Sequence, residues 1–335
     1  MTPYSGVAGG NTGSALPDCL AADMSRVEEL LLATAGASDH PLVAEPSTHL
    51  IKAGGKRLRP ALVLLSAQVG AEGGSTSTAD VDGRATDLAA AAVELVHLAT
   101  LYHDDVMDET EMRRGVPTTH SKWGVEVAVL AGDFLFACGS SLGADAGGEV
   151  PGILARAIAE VCEGQIVETA ALGDPRRGVE EYLGTIARKT GALFRAACDL
   201  GSATGGVRGE ERAALVSYGR HLGLAFQMVD DLLDLVGDPD VIGKMPGTDL
   251  KEGVFTYAVL TACERDEELA ERIASGQRDL TTLLPAIERA GGLQAARRRA
   301  VEAADEARRE LEALPDSTPR VALDGIVDAV LAQLP

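Results

Sequence analysis

From Ala85 to Val96 the chain is apolar on almost every side of a helix, and this stretch does most to limit what it can fold into. It is built of alanine, leucine and valine without the period-two alternation of a half-exposed strand. A helix apolar all round must be surrounded by other elements. The charge returns at His97 and then in His103-Asp104-Asp105-Val106-Met107-Asp108, so the helix is expected to run from about 85 to 108. Helical patterns recur at about 21–36, 47–53, 62–69, 124–145, 152–171, 179–204, 210–236, 253–274, 279–291, 293–313 and 320–334. Glycine and proline punctuate them. Aromatics make up only 3% of the chain, and alternating β-branched runs are scarce. These features predict an all-α fold. No linker divides two cores, so one domain is expected over 21–335, behind a flexible Gly/Ser/Thr/Pro-rich tail at 1–20.

The aspartates at the end of the first run have an echo in Asp230-Asp231-Leu232-Leu233-Asp234. Each cluster reads Asp-Asp-x-x-Asp, and the i, i+4 spacing places Asp104 with Asp108, and Asp230 with Asp234, on one helix face. Like charges at that spacing repel by a few tenths of a kcal/mol. One such pair is ordinarily a solvated helix face, but two inside apolar runs point to cations held between carboxylates. All-oxygen ligands suit a hard ion, Mg²⁺ above all, which keeps waters and bridges to phosphates.

Basic residues are correspondingly local. Gly54-Gly55-Lys56-Arg57-Leu58-Arg59-Pro60 puts three cations within four residues, after two glycines that let backbone N–H groups approach an anion. Arg113-Arg114-Gly115 follows the first acidic cluster, Lys189-Thr190 lies mid-helix in an apolar run, and Lys244 sits in a loop after the second cluster. The net charge of −21 disfavours nucleic acid and anionic membrane surfaces as partners but not a small anionic substrate. Five scattered cysteines suit a reducing compartment. With no signal-like start and no uncharged run of eighteen apolar residues, a cytoplasmic chain without a membrane span is expected.

With these motifs quoted, the chain resembles the trans-prenyl diphosphate synthases of the polyprenyl synthetase family over roughly residues 45 to 260. Ala-Gly-Asp-x-Leu at 131–135 and Phe-Gln at 226–227 add to the match. The resemblance implies a helical bundle around a central cavity, assembled as a homodimer. It also implies repeated joining of an allylic diphosphate to isopentenyl diphosphate, with about three Mg²⁺. Asp104, Asp105 and Asp108 would hold metal on one side of the allylic diphosphate, and Asp230, Asp231 and Asp234 on the other. Arg113, Lys189, Thr190, Gln227 and Lys244 would contact the allylic diphosphate. Lys56, Arg59, His97 and Arg114 would grip isopentenyl diphosphate. The nucleophile is an alkene, so the catalytic set is Asp104, Asp108, Asp230, Lys189 and Arg113. One departure is Glu252-Gly253-Val254-Phe255-Thr256, where many members of the family carry a lysine.

The growing product is expected to run back along the helix that ends at Asp104. Short-product members of the family place a bulky aromatic one turn before the first aspartate. Here Ala99 and Thr100 stand there, with Val96 below, and each turn of about 5.4 Å matches one extended isoprene unit. The expectation is a long all-trans product of about thirty carbons or more, with a geranylgeranyl or farnesyl product as the alternative if a neighbouring helix supplies a floor. A terpene cyclase would not need the Gly-Gly-Lys-Arg stretch, a non-catalytic subunit would be expected to have lost carboxylates, and a scaffold leaves the pairing of acidic and basic motifs unexplained.

Overall fold

The computed structural model describes residues 20–72, 83–238 and 246–335. The chain is a helical bundle: α1 Ala21–Ala35, α2 Pro41–Lys52, α3 Leu58–Glu72, α4 Gly83–Met107, α5 Thr119–Trp123, α6 Val125–Ala146, α7 Val150–Ala170, α8 Val179–Ile186, α9 Ala192–Thr204 and α10 Gly209–Val236. Then come α11 Thr248–Glu252, α12 Tyr257–Arg265, α13 Glu267–Ala274, α14 Leu280–Arg289, α15 Gly292–Leu311 and α16 Thr318–Leu331. Among the described residues the only strands are β1 Met112–Arg113 and β2 Val116–Pro117, an antiparallel ribbon that turns the chain after α4.

Helix α4 is the centre, as its composition requires. Ala89 to Val93 are fully covered, and the helix packs on α1, α3, α6 and α9. Small residues let its neighbours close in. Gly139 of α6 lies over Ala92 and Val96, where a Cβ would stand 3.0 Å from the Ala92 carbonyl oxygen. Gly223 of α10 lies over α9's start, with 2.8 Å from a built Cβ to the Gly191 Cα. A single apolar core runs from Leu20 to Val330.

Several boundaries differ from the expected ones, α3 starting at Leu58 rather than 62 among them. Helix α2 begins at Pro41 rather than 47, because a proline at the first helical position loses no hydrogen bond and the His40 ring nitrogen accepts from the Leu42 N–H at 3.2 Å. The run expected at 253–274 breaks at Asp266, whose carboxylate accepts from the Leu269 N–H at 3.1 Å and so starts α13 afresh. Lys244, and the tail before residue 20, lie outside the described residues.

Candidate active site

The first acidic cluster forms the C-terminal end of α4. The Asp108 N–H still donates to the Asp104 carbonyl at 2.8 Å, so the helical register carries through the cluster. Asp104 and Asp108 keep some exposure, on one stripe with His97, Thr100 and Leu101. Burial pushes the Asp104 carboxyl up to about 6, with Lys189 opposing and Asp108 reinforcing the rise. Asp108 is raised as well, by burial first, against the pull of Lys189. Asp105, one position along the helix, is covered on the other side and pairs with Arg113. Its second oxygen is buried without a hydrogen-bond partner. The two residues assigned by resemblance to metal and to diphosphate are thus joined to each other.

Lys189 reaches the same place from an irregular turn. The helix expected over 179–204 is continuous, but residues Ala187–Gly191 form a π-turn between α8 and α9. Such insertions are common at functional sites because they re-aim side chains. Lys189 pairs with Glu168 of α7. Burial pulls its ammonium down, but Glu168, Asp104 and Asp108 together outweigh that and its pKa lies above the ordinary value. Thr190 donates to the Gln227 side-chain oxygen at 2.7 Å, and the Gln227 amide donates to Asp231 at 2.8 Å.

The second cluster splits in a similar way. Asp230 is exposed, whereas Asp231 and Asp234 are buried. Asp231 also accepts from the Tyr182 hydroxyl. Asp234 accepts from the Asp249 N–H at 3.1 Å, and its carbonyl accepts from the Gly247 N–H, so this residue ties the following segment to α10. Both lie on α10, which is helical through Val236, and the segment wrapped around its end covers Asp234 while leaving Asp230 exposed.

The basic side is built on an aromatic pair. The Phe194 and Phe226 rings lie 5.3 Å apart, the Arg59 guanidinium is 4.8 Å from the Phe194 centroid, and the Lys56 ammonium is 5.9 Å from that of Phe226. Lys56 donates to Gln333 beyond α16. Burial lowers its pKa, against the pull of Asp230. Burial brings Arg59 down to about 10, and its Nε is covered without a partner. His97 is held well below its ordinary pKa, by burial first and then by Arg59 and Arg114, so its ring is neutral. Arg114, at φ 53°, donates to the Leu50 and Gly54 carbonyls and lies against Gly55, where a Cβ would stand 2.9 Å from its guanidinium.

Arg57 does not join that cluster. It turns inward to Glu28, with two bonds of 2.9 Å, and to the buried Glu94 at 3.1 Å. Two anions behind it hold it there, and neither stands out in the sequence. Glu168 and Tyr182 were missed for the same reason: each is one ordinary residue on an amphipathic helix. On α4, Val96 and Ala99 are fully covered with Ala92 beneath Gly139 of α6, the part-exposed His103 meets Gly132, and Thr100 lies beside His97 and Asp104.

The donor set fits Mg²⁺. The Asp105 oxygen left without a hydrogen bond, and the Asp104 and Asp108 carboxylates raised by burial, are acceptors a cation would satisfy, and Mg²⁺ bound by one or two carboxylates completes its shell with water and phosphate. Among the described residues no group of three or more His, Cys, Asp or Glu side chains is placed to hold a metal ion by itself.

Comparison with known proteins adds to this geometry. The family model described as polyprenyl synthetase matches residues 40–287. The chain is similar to the nonaprenyl diphosphate synthase of Mycobacterium tuberculosis, 37% identical over 99% of both chains. It is 40% identical to a short chain isoprenyl diphosphate synthase of Methanothermobacter thermautotrophicus, over 85% of this chain and 88% of the other. Its fold is similar to a decaprenyl diphosphate synthase from Rhodobacter capsulatus, with TM-score 0.85 and 37% identity over 95% of this chain and 98% of the other.

Proposed function

The chain belongs to the polyprenyl synthetase family of trans-prenyltransferases, and from that premise we propose that it extends an allylic diphosphate with isopentenyl diphosphate to a long all-trans product. The observation that carries the reading is the pairing of each acidic cluster with nearby cations. Lys189 acts on Asp104 and Asp108, Lys56 lines one pocket with Asp230, and Arg59 and Arg114 act on His97.

Asp104, Asp108 and Asp230 would hold Mg²⁺, about three ions, which when bound would supply positive charge against the leaving allylic diphosphate. Lys189 adds a cation at the same diphosphate once Glu168 releases it, and the Thr190–Gln227–Asp231 chain fixes the wall beside it. Arg113, moored to Asp105, presents its remaining N–H groups at the rim. Lys56, Arg59 and Arg114 hold isopentenyl diphosphate, with the neutral His97 as a hydrogen-bonding neighbour that adds no competing charge. Asp105, Asp231 and Asp234 act as supports for the outward carboxylates. Lys244 is proposed, on sequence alone, as a further diphosphate contact.

Product length follows from α4. Thr100 is the small residue one turn before Asp104 on the stripe that keeps exposure, and among α4's side chains the one benzenoid ring, Tyr102, is buried and donates to the Pro46 carbonyl. No bulky ring on α4 blocks the tail, which supports a product of about thirty carbons or more. Incubation with isopentenyl diphosphate and farnesyl diphosphate, followed by chromatography of the dephosphorylated products, tests this. Accumulation at about fifteen or twenty carbons contradicts it.

A homodimer in the cytoplasm belongs to the same proposal. Helix α6 is the described helix long and apolar enough by composition to cross a membrane, yet it is packed along α4 and leaves Val125, Val129 and Leu130 exposed. A second copy covering that face accounts for an apolar stripe at the surface. The four cysteines among the described residues are all unpaired, in keeping with a reducing compartment.

A further inference from the structure

The π-turn that aims Lys189 inward carries Arg188 on its outer side. Arg188 lines an open cleft of about 260 Å³ between α7, α8, the π-turn, α9 and α10, whose lining includes none of the clustered aspartates. Three guanidinium groups line it: Arg188, Arg195 of α9 and Arg220 of α10. Its floor is made of small residues, Gly184, Ala187 and Gly191 among them, which leave the cationic groups as the features a ligand would meet. Two carboxylates of α7 answer the three cations. Arg195 donates to Glu160 at 2.7 Å, and the Arg188 Nε is 3.3 Å from Glu163. Arg220 is exposed and pairs with no carboxylate among the described residues. In a chain of net charge −21, three cations against two carboxylates in one concavity is a local inversion of sign.

We propose that this outer cleft is a second anion site, separate from the substrate sites, that takes a diphosphate group. Guanidinium groups bind phosphate oxygens in bidentate fashion, and three of them from three segments offer more donors than a single carboxylate uses. A diphosphate displaces Glu160 and Glu163 from Arg195 and Arg188 and engages Arg220 as well. The ligand then acts on catalysis through the turn itself. Arg188 also donates to the Gly184 carbonyl at 3.0 Å, so a pull on its guanidinium is transmitted to the segment whose next residues, Lys189 and Thr190, face the aspartates and Gln227. The group arises in two places, as inorganic diphosphate released by the reaction and as the head of a prenyl diphosphate.

Calorimetric titration of the full chain in EDTA with inorganic diphosphate, and separately with geranyl diphosphate, tests the assignment. Wild type is expected to show two classes of site. Arg195→Gln with Arg220→Gln is expected to weaken one class at least tenfold, while Lys56→Ala with Arg59→Ala removes the other and leaves the outer class intact. Loss confined to the inorganic ligand assigns the site to free diphosphate, and loss confined to geranyl diphosphate assigns it to a prenylated one. A double variant that titrates like wild type with both ligands overturns the site. Arg220→Gln alone, a change at an exposed unpaired residue, gives the same reading if the double variant folds poorly. These titrations need no turnover, so their failure is distinct from an absence of synthase activity. The coupling is read kinetically. Diphosphate should inhibit with a component that saturating allylic substrate does not relieve, and Arg195→Gln with Arg220→Gln should abolish that component with KM values unchanged. Purely competitive inhibition of wild type overturns the coupling.

Discussion

Replacing Arg57 tests whether the inward-turned arginine organises the basic side. Its side chain is 7% exposed and pairs with Glu94, which is 2% exposed, and with Glu28, which is 32% exposed. Arg57→Met removes one partner of a buried pair and leaves the Glu94 carboxylate covered, a change that costs about 3–5 kcal/mol in general. Arg59 and Arg114 act on Glu94 electrostatically and soften the loss. The half-exposed Glu28 contributes under about 1 kcal/mol. The expected destabilisation is therefore near the lower bound, about 3 kcal/mol, or roughly 5 °C in Tm for a domain of this size. Urea unfolding followed by circular dichroism measures it. Adding Glu94→Gln should recover a large part of the loss, because the stranded charge is then gone. The site should feel the change too. Arg57, at φ 48°, donates to the Ile51 carbonyl at 3.0 Å and the Gly54 carbonyl at 3.4 Å, so its loss loosens the turn that presents Lys56, and KM for isopentenyl diphosphate should rise more than KM for the allylic substrate. A loss under about 1 kcal/mol, or a further loss on adding Glu94→Gln, refutes the reasoning.

Four further outcomes are expected. Lys56→Ala and Arg59→Ala should raise KM for isopentenyl diphosphate, and Lys189→Ala that for the allylic primer; steady-state kinetics showing equal effects on both substrates would break the two-site assignment. Asp104 must lose its proton before it can hold a cation, and burial keeps that proton to about pH 6, so Mg²⁺ affinity should fall as pH drops through about 6 and change little above 7. Titration calorimetry across that range checks the sign. Thr100→Phe should shorten the product to about fifteen or twenty carbons with turnover preserved, whereas Ala99→Phe must first displace α6 and should lower Tm; product chromatography and thermal melts separate the two. Sedimentation at micromolar concentration should give a dimer, and Leu130→Glu, on the exposed face of α6, should give a monomer.

The sequence disclosed the helices and the charge centres, because both are written as patterns. The run through α4 can only be a buried helix, and each acidic cluster ends such a run. What it did not disclose is which aspartate of each cluster stays exposed. Asp105, Asp231 and Asp234 have the same side chain as Asp104 and Asp230, and what sets them apart is the partners the fold brings to them, Arg113, Tyr182 and the Asp249 N–H. The same holds for Arg57, which reads as a third phosphate-binding cation until Glu28 and Glu94 are brought behind it. The π-turn left no local signal either: residues 187–191 fit an uninterrupted helical pattern, and the close approach of Gly223 to Gly191 links residues far apart in the chain.

Asp104, Asp108 and Asp230 are proposed to serve metal-assisted departure of diphosphate during chain extension. Simultaneous counting of diphosphate released and isopentenyl units incorporated, with Mg²⁺ and in EDTA, tests it most directly. The expected result is one diphosphate per unit incorporated, no turnover in EDTA, and a fall of at least about 10²-fold in Asp104→Ala and Asp230→Ala with helicity unchanged. Incorporation that persists in EDTA, or in either variant at the wild-type rate, would contradict it.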